Sequence, residues 1–490
     1  MSTAPSTESQ VTPQERGALD RFFEITRRGS TPAAEVRGGL VTFVTMAYIV
    51  ILNPIILSSG TDVAGDSLGF QQVAAVTALT AGVMTILFGL VSRLPFAFAA
   101  GLGINSFLAV SVVGQVTWPE AMGLVMINGF IIVLLAATGL RRLIFDAVPV
   151  QLKTAITVGI GLFIAFIGFV DAGFVTSTGV ASPPVGLGIE GSIATIPTLV
   201  FVITLLLCAV LMALRVKGAL LIGLVSGTVL AVVIEAVWHI GPKSGADGAV
   251  VNPGGWSLSV PALPASWFSV PDLSLVGQVD LFGAFGRIGG LAATMLVFTL
   301  VFTNFFDAMG TMTGLSREAE LADEKGDFPR LRSALIVEGV GAVAGGFTSS
   351  SSNTVFIESA SGIGEGARTG LANIMTGALF LLAMFLTPLT SVVPSEVAAA
   401  ALVIVGALMM SQIRHVDLGD LSVLIPVFLT VTVMPFTYSI ANGIGAGFIS
   451  WVVIRSLTGK AKQISPLLWV VAAGFVIYFA RGPIEAALGA

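Results

Sequence analysis

Apolar runs long enough to cross a membrane recur through almost the whole of this 490-residue chain, from Val36 to Ala480. As α-helices, stretches of about 20 apolar residues span the ~30 Å hydrocarbon core of a bilayer. Hydrophobic residues make up 55% of the chain and charged residues only 10%, whereas about 25% of an ordinary soluble protein is charged. A water-soluble surface cannot be built from this composition, so the sequence predicts an all-α polytopic membrane protein.

The rare residue types exclude several functional classes. The chain has one cysteine, Cys208, and two histidines, His239 and His415, which are not at metal-ligand spacing. The net charge is -5 with no long basic run, and neither a phosphate-binding glycine loop nor a Ser-His-Asp order is present. We therefore expect no enzyme activity, no metal, no cofactor and no nucleic-acid partner.

The positions of the basic residues predict the orientation. If fourteen spans are counted with the N-terminus inside, all but three of the 23 Lys and Arg residues fall on the inner side. The exceptions are Lys243, Arg287 and Arg481. Such a bias follows the rule that cytoplasmic loops carry the positive charge. The polar tail 1–35 is then cytoplasmic, and the protein is expected in the cell membrane.

Two of the predicted spans do not have the pattern of ordinary helices. Leu94–Val113 and Phe347–Ile363 each contain a short extended stretch, then small or polar residues, then a short helix. Interrupted helices at membrane depth are tolerated only where they are buried in protein or line a cavity. Because one is third in the first half and the other third in the second half, they predict an inverted repeat of seven plus seven spans.

Four acidic residues lie well inside predicted spans, namely Glu235, Asp307, Glu338 and Glu358. An acid inside the membrane is a functional candidate by default. Glu235 is near the outer end of its span and receives no functional assignment. For Glu338 we favour a structural role, with a bond to a neighbouring helix.

Asp307 and Glu358 are the better candidates for a site. Asp307 shares a small and polar helix face with Thr303, Gly310 and Gly314. Glu358 is placed where the second interrupted segment turns into its half-helix, and Asn105 at the comparable place in the first. Free N–H groups and the helix dipole favour an anion there. The serines at 349–352 either satisfy their own backbone or line the pocket.

Five segments occur in a fixed order along the chain: GLVTFVTMAYIVILNPIIL, LPFAFAAGLGINSF, NFFDAMGT, FIESASGIGEGARTGL and MPFTYSIANGIGAGFIS. Together they resemble the signatures of the adenine/guanine/hypoxanthine permeases, the azaguanine-sensitivity branch of the nucleobase:cation symporter-2 (xanthine/uracil permease) family. The resemblance implies a fourteen-span secondary transporter that imports purine nucleobases by moving a core domain against a gate domain. It also implies that a homodimer can form.

The same resemblance divides the chain into regions. The core domain comprises spans 1–4 and 8–11, and the gate domain comprises spans 5–7 and 12–14. The implied boundaries are a cytoplasmic tail at 1–35, core at 36–140, gate at 141–240, an external loop at 241–283, core at 284–392, gate at 393–460 and a C-terminal apolar segment at 461–490. Whether residues 466–480 cross the membrane stays open.

The resemblance also assigns roles to residues. Asp307 and Glu358 match the substrate-binding acids of the family, and Asn105 matches its polar residue on span 3. Phe356 and Phe96 match positions where an aromatic ring covers the base. We add Ile357 to the binding candidates and group Thr311 and Thr354 with Glu338 as structural or modulating positions. Glu396 departs from the family pattern, because we expect neutral residues there.

The chemistry of a purine fits these residues. Its ring N–H groups can donate to buried carboxylates, and phenylalanine rings can cover its faces. For coupling we favour proton symport, with Asp307 as the better proton site, because the half-helix dipole favours the charged form of Glu358. Sodium is the competing ion, since hydroxyl and carbonyl oxygens are hard ligands. The alternative functions are a transporter of the same fold for another heterocycle or a small anion, and, more remotely, a channel or membrane enzyme.

Overall fold

The computed structural model describes residues 17–139, 148–189, 191–245, 249–257, 259–264, 266–322 and 328–480. Within them, 11 helices are long and apolar enough to cross a membrane, and three shorter apolar helices lie at Leu102–Val112, Leu421–Phe436 and Pro466–Phe479. The all-α membrane architecture is therefore confirmed, whereas the count of fourteen spans stays a prediction. The first part of the tail, the start of the predicted gate domain at 141–147, and Arg481 lie outside the described residues.

The first half of the chain is helical apart from three short strands. In chain order its elements are α1 (Gly17–Phe23), α2 (Pro32–Met46), α3 (Ile49–Ser58), α4 (Phe70–Val91), β1 (Phe98–Ala100), α5 (Leu102–Phe107), α6 (Trp118–Thr138), α7 (Val150–Asp171), β2 (Val175–Ser177), β3 (Val185–Leu187), α8 (Ile196–Ala213) and α9 (Ala219–Trp238). A π-helical turn, Leu108–Val112, extends α5. The helices α2 and α3 together form the first span, Pro32–Ser58, which is interrupted at Ala47 and Tyr48.

The second half repeats this plan. Its elements are α10 (Gly283–Arg287), α11 (Gly290–Glu318), α12 (Leu331–Thr348), β4 (Asn353–Val355), α13 (Ser359–Gly364), α14 (Leu371–Ala383), α15 (Thr387–Thr390), α16 (Ser395–Met410), α17 (Leu421–Phe436), α18 (Ile440–Leu457) and α19 (Pro466–Phe479). The last helix, α19, packs against α18 and α11. Its 14 residues are fewer than the about 20 that a helix needs to cross a bilayer.

Several helices begin at side chains that cap them. Thr31 accepts a hydrogen bond from the N–H of Ala34 ahead of Pro32, the first residue of α2. Thr117 and Glu120 form a reciprocal capping box at the start of α6. Such caps satisfy N–H groups that a helix leaves unpaired at its start. The beginnings of these spans are therefore encoded locally.

The packing of the helices follows the inverted repeat. In the part that forms the predicted core domain, α6 packs extensively on α12, and α4 packs on α14. In the part that forms the predicted gate domain, α7 packs on α16 and α17, and α16 also packs on α8. Each of these pairs joins one half of the chain to the other, so the two repeats are interleaved.

The two interrupted segments pair with each other. Strands β1 and β4 are antiparallel, with Phe98 opposite Val355, Ala99 opposite Thr354 and Ala100 opposite Asn353. The predicted combination of an extended stretch and a half-helix is confirmed in each segment. Because the strands satisfy each other's backbone groups, a non-helical backbone can persist inside the membrane.

Two acids to which the sequence assigned no function form hydrogen bonds with residues in or beside the predicted external loop. The Glu235 carboxylate accepts hydrogen bonds from the N–H groups of Ile240 and Gly241 and from the Trp256 indole. Glu396, buried at the start of α16, accepts from the N–H of Ser257. Together they tie residues of the predicted external loop to α9 and α16.

Candidate functional site

The β1–β4 pair brings the two half-helices α5 and α13 to the middle of the molecule, beside α11. Glu358 is the residue immediately before α13, where the sequence placed it. Asp307 lies near the centre of α11, which contacts α13, β4 and α5. The carboxyl groups of Asp307 and Glu358 interact electrostatically across the contact between α11 and α13. The structure therefore brings the two strongest candidates together.

Open space adjoins this pair of acids. A Cβ atom added at Gly310 or Gly314, on the same face of α11 as Asp307, would have no atom within 4 Å. Ile357, between the buried Phe356 and the half-buried Glu358, is 51% exposed. The space beside Asp307 and Glu358 thus extends along α11 toward Arg317 at its C-terminal end.

Glu358 is hydrogen-bonded to two residues at or near the interruption of the first span. The Tyr48 hydroxyl donates a hydrogen bond of 2.6 Å to Glu358 Oε1. The Thr45 hydroxyl also reaches the Glu358 carbonyl, at 3.4 Å. Sequence analysis missed Tyr48, and the only signal for it is a phenol in the middle of an apolar run.

Asn105 lies in a buried polar network. It is the fourth residue of α5, and its N–H closes the first helical turn onto the Gly101 carbonyl. The half-helix therefore begins three residues earlier than the sequence suggested. The Asn105 side chain is fully buried, and its Nδ2 donates to Asn53 Oδ1 at 2.5 Å. Asn53, on α3, is a second residue that sequence analysis missed.

The aromatic candidates differ in position. Phe356 is next to the acids, and its N–H donates to the Ala97 carbonyl. Phe96 is fully buried, and its ring packs against the rings of Phe88 and Phe328, with centroid separations of 6.1 and 6.2 Å. The Phe96 ring is therefore buried among other rings and is not exposed to the open space beside the acids.

Glu338 is a third acid near the pair. It is fully buried on α12 and interacts electrostatically with Asp307. The Thr354 hydroxyl and the Val355 N–H are its polar neighbours, yet neither carboxylate oxygen makes a hydrogen bond of normal geometry with a described residue. These neighbours lie on β4, and among the described residues the expected bond from Glu338 to a neighbouring helix is not seen. Thr311, one turn after Asp307, is half-buried.

A cation lies at the edge of the site. The Lys153 ammonium is 5.4 Å from the centroid of the Phe306 ring, and Phe306 precedes Asp307 on α11. Lys153 belongs to the first turn of α7, in the predicted gate domain. Its position at the start of an apolar run gave no indication that it would approach α11, because only the packing of α7 on α11 brings the two together.

A separate cavity of about 370 Å³ lies beyond the π-helical end of α5. Its lining residues are Ser111, Gln115, Tyr438, Ser439, Asn442, Tyr478 and Phe479. It contains neither Asp307 nor Glu358. Across the described ranges, no group of three or more His, Cys, Asp or Glu residues could hold a metal ion.

Residues 33–446 match the model of a family described as "Permease family" (Xan_ur_permease). The chain belongs to this permease family. It is therefore a multi-pass membrane transporter and not an enzyme, as the sequence predicted. The match begins with the first span and ends within α18.

Characterised relatives extend over nearly the same length. The chain is 37% identical to the adenine permease AdeP of Escherichia coli (strain K12), a match that covers 94% of this chain and 96% of the relative. It is 36% identical to the guanine/hypoxanthine permease PbuG of Bacillus subtilis (strain 168), with 94% and 99% covered. The family that the sequence signatures resembled is thereby confirmed.

Solved structures share the fold at low sequence identity. The transmembrane domain of the cyanobacterium bicarbonate transporter BicA matches with a TM-score of 0.54 at 15% identity, over 86% of this chain and 96% of that chain. The murine anion transporter Slc26a9 in the inward-facing state matches with a TM-score of 0.57 at 10% identity, over 92% and 74%. These matches support the seven-plus-seven transporter fold.

Proposed function

We propose that this protein imports purine nucleobases, namely hypoxanthine, adenine and guanine, and that it binds them between Asp307 and Glu358. The observation that carries this proposal is the meeting of these two acids beside open space, at the junction of two half-helices, in a member of the permease family. The names of the relatives, which include adenine and guanine/hypoxanthine permeases, support the class of substrate.

The donors and acceptors of the site suit a planar base. A purine offers ring N–H groups to carboxylate oxygens, and a hydrogen bond to a charged group contributes roughly 1.5–3 kcal/mol. A ligand without one of these N–H groups would leave a desolvated carboxylate unpaired, and this penalty provides selectivity. Phe356 and the exposed side chain of Ile357 supply apolar surface next to the acids.

Proton symport is the coupling that we propose. The Asp307 carboxyl group makes no hydrogen bond with any described residue, whereas the Glu358 carboxyl group receives one from Tyr48 and lies at the start of α13. A carboxylate without donors is the one that gains most from binding a proton in a site of low dielectric. Sodium is the competing proposal, because the hydroxyls of Ser351, Ser352 and Thr354 are buried and unpartnered nearby.

The cellular setting is part of the same proposal. We place the protein in the cell membrane with its N-terminus in the cytoplasm, because that orientation puts nearly all basic residues on the inner side. Transport then proceeds by alternating access, in which the predicted core regions move against the predicted gate regions. A homodimer is the assembly that the family resemblance suggests.

The test is uptake of labelled hypoxanthine by cells that lack their own purine carriers. We expect Asp307→Asn and Glu358→Gln each to reduce uptake at least tenfold, because each loses a charge-assisted hydrogen bond to the base. Adenine and guanine should compete and uracil should not. The control is Glu320→Gln, which changes an exposed acid at the end of α11 and should leave uptake unchanged.

Coupling is tested in the same cells. If protons drive transport, a protonophore abolishes accumulation and replacement of sodium has no effect. Accumulation that survives the protonophore and requires sodium would replace proton symport by sodium symport. A correctly inserted wild type that takes up no purine would contradict the substrate assignment.

A further inference from the structure

The first span holds both half-helix residues of the candidate site. Tyr48, at the interruption of this span, donates to Glu358 Oε1 at 2.6 Å. Asn53, five residues further, accepts from Asn105 Nδ2 at 2.5 Å. Tyr48 and Asn53 are almost completely buried. Each of these contacts therefore engages one polar atom of a site residue and fixes the orientation of its side chain.

The orientation of the Asn53 amide follows from its other partners. Its Nδ2 lies 3.1 Å from the Ser350 carbonyl oxygen, which can only accept. It also lies 2.7 Å from the Thr77 hydroxyl, which donates its own hydrogen to the Val73 carbonyl and so accepts here as well. Only the NH₂ group can face two acceptors. Asn53 must then present Oδ1 to Asn105, so the hydrogen-bond network fixes the assignment.

The hydrogen bonds of Tyr48 to Glu358 and of Asn105 to Asn53, here called the relay, determine which atoms remain for a ligand. Asn105 must turn its NH₂ group toward Asn53, and its Oδ1 is left buried with no partner in the described part of the chain. Glu358 has Oε1 occupied by Tyr48 and keeps Oε2. A buried polar atom without a partner needs one from outside the protein, such as a ligand or a water. Asn105 Oδ1 and Glu358 Oε2 are thus acceptors that remain for a ligand.

We propose that Tyr48 and Asn53 are positioning residues that set the hydrogen-bonding pattern of the substrate site. They fix the Asn105 amide and the Glu358 carboxylate so that Oδ1 and Oε2 are presented as acceptors, and the site therefore selects heterocycles that present N–H groups at these two places. This inference rests on the proposed function, because it specifies how the same site distinguishes among purine bases.

The first span is also fixed to the half-helix that follows Glu358. A Cβ atom added at Gly362, in α13, would lie 2.5 Å from the Gly38 carbonyl of α2, so the two helices touch through their backbones. The Thr45 hydroxyl reaches the Glu358 carbonyl. Because α2 and α13 are packed this closely, Tyr48 keeps its place relative to Glu358 when the core region moves.

Asn53→Leu is the decisive variant for the relay. It keeps the size of the side chain but frees the Asn105 amide to rotate. Hypoxanthine and adenine are the probes, because they exchange donor and acceptor at ring position 1 and at the substituent on position 6. We expect the ratio of their inhibition constants against labelled hypoxanthine uptake to change at least fivefold. The matched control is Asn373→Leu, which removes a buried amide that donates to the Phe96 carbonyl elsewhere in the protein.

Tyr48→Phe tests the second contact. Loss of the hydroxyl leaves Glu358 without its donor, so we expect KM for hypoxanthine to rise about tenfold while the maximal rate stays within about twofold of the wild type. Tyr438→Phe, which removes a hydroxyl at the separate cavity beyond α5, should change neither value. Rescue of the low KM by Tyr48→His, whose ring N–H can replace the phenol as a donor, would show that donation and not ring packing matters.

The outcomes separate the two proposals. No uptake by the wild type would remove the proposed function and this inference with it. Normal uptake together with an unchanged adenine to hypoxanthine ratio in Asn53→Leu would contradict the relay alone. If Asn53→Leu does not insert into the membrane, Tyr48→Phe decides, and wild-type KM in that variant would overturn the inference.

Discussion

Asp62 connects the loop after the first span to the start of α6. Its Oδ2 accepts from the Trp118 N–H at 2.9 Å, and its Oδ1 accepts from the N–H groups of Ala64 and Asp66. Burial alone would raise the pKa of Asp62, but these backbone donors outweigh it and hold the pKa below its usual value. A carboxyl group with a lowered pKa stabilises the folded state at every pH above its unfolded value, near 3.9.

We expect Asp62→Asn to destabilise the protein at neutral pH by about 1–2 kcal/mol, because charged acceptors bind N–H groups more strongly than neutral ones. The stabilisation in the wild type is lost as the pH falls through the folded pKa. The difference in melting temperature between wild type and variant, measured in detergent, should therefore shrink below about pH 4. Asp66→Asn in the same loop is the control, and a difference that stays constant with pH would contradict the argument.

Single residues also show the limits of sequence analysis at this site. Asp307 and Glu358 could be predicted, because a charge inside an apolar run needs a reason. Tyr48 and Asn53 could not, since a phenol or an amide in a span has many potential partners and only packing selects one. Phe96 shows the opposite case. It lies in the motif LPFAFAAGLGINSF and was expected to cover the base, but its ring is buried against Phe88 and Phe328.

At the scale of elements, the interrupted segments were predictable one by one. Each breaks its apolar run with small or polar residues, and each contains a strand and a half-helix in the structure. That β1 and β4 pair with each other could not be derived from either segment, because their register joins residues more than 250 positions apart. The pairing is nevertheless what places Glu358 beside α11.

Close helix contacts provide a prediction at the same scale. A Cβ atom added at Gly89, inside α4, would lie 2.6 Å from the Gly370 carbonyl and 2.7 Å from the Asn373 Cβ, at the start of α14. Backbone atoms cannot move aside as a flexible side chain can. We expect Gly89→Ala to reduce stability by about 1–3 kcal/mol through overpacking, although alanine is the better helix former.

The measurement is thermal unfolding of the purified variant in detergent. Gly290→Ala is the matched control, because an added Cβ at the start of α11 would have nothing within 4 Å. It should leave the melting temperature unchanged or slightly higher. Equal melting temperatures for Gly89→Ala and the wild type would show that α4 and α14 can separate without loss of stability.

At the scale of the whole molecule, one ion pair joins the two regions that are proposed to move against each other. Lys217, in the turn between α8 and α9, pairs with Glu365, which directly follows α13. Glu365 also binds Arg37 of α2 at 2.9 Å, so it is anchored within the predicted core domain. The same turn packs on α2, because a Cβ atom added at Gly218 would lie 2.9 Å from Val44.

A contact between regions that move apart must break in each transport cycle, so it affects the rate of transport more than stability. We expect Lys217→Gln and Glu365→Gln each to change the maximal uptake rate by up to about fivefold, since an exposed ion pair contributes at most about 1 kcal/mol. The double variant should resemble either single variant, because the second substitution has no partner left to remove.

The comparison cycle uses Lys460→Gln and Asp420→Asn, whose side chains pair at 2.8 Å within the predicted gate domain. That pair lies within one region. The effects of its two substitutions should therefore be non-additive on the melting temperature and additive on the uptake rate. If the effects of Lys217→Gln and Glu365→Gln on the uptake rate were additive as well, the Lys217–Glu365 pair would either stay intact or have no influence on the rate while the substrate crosses the membrane.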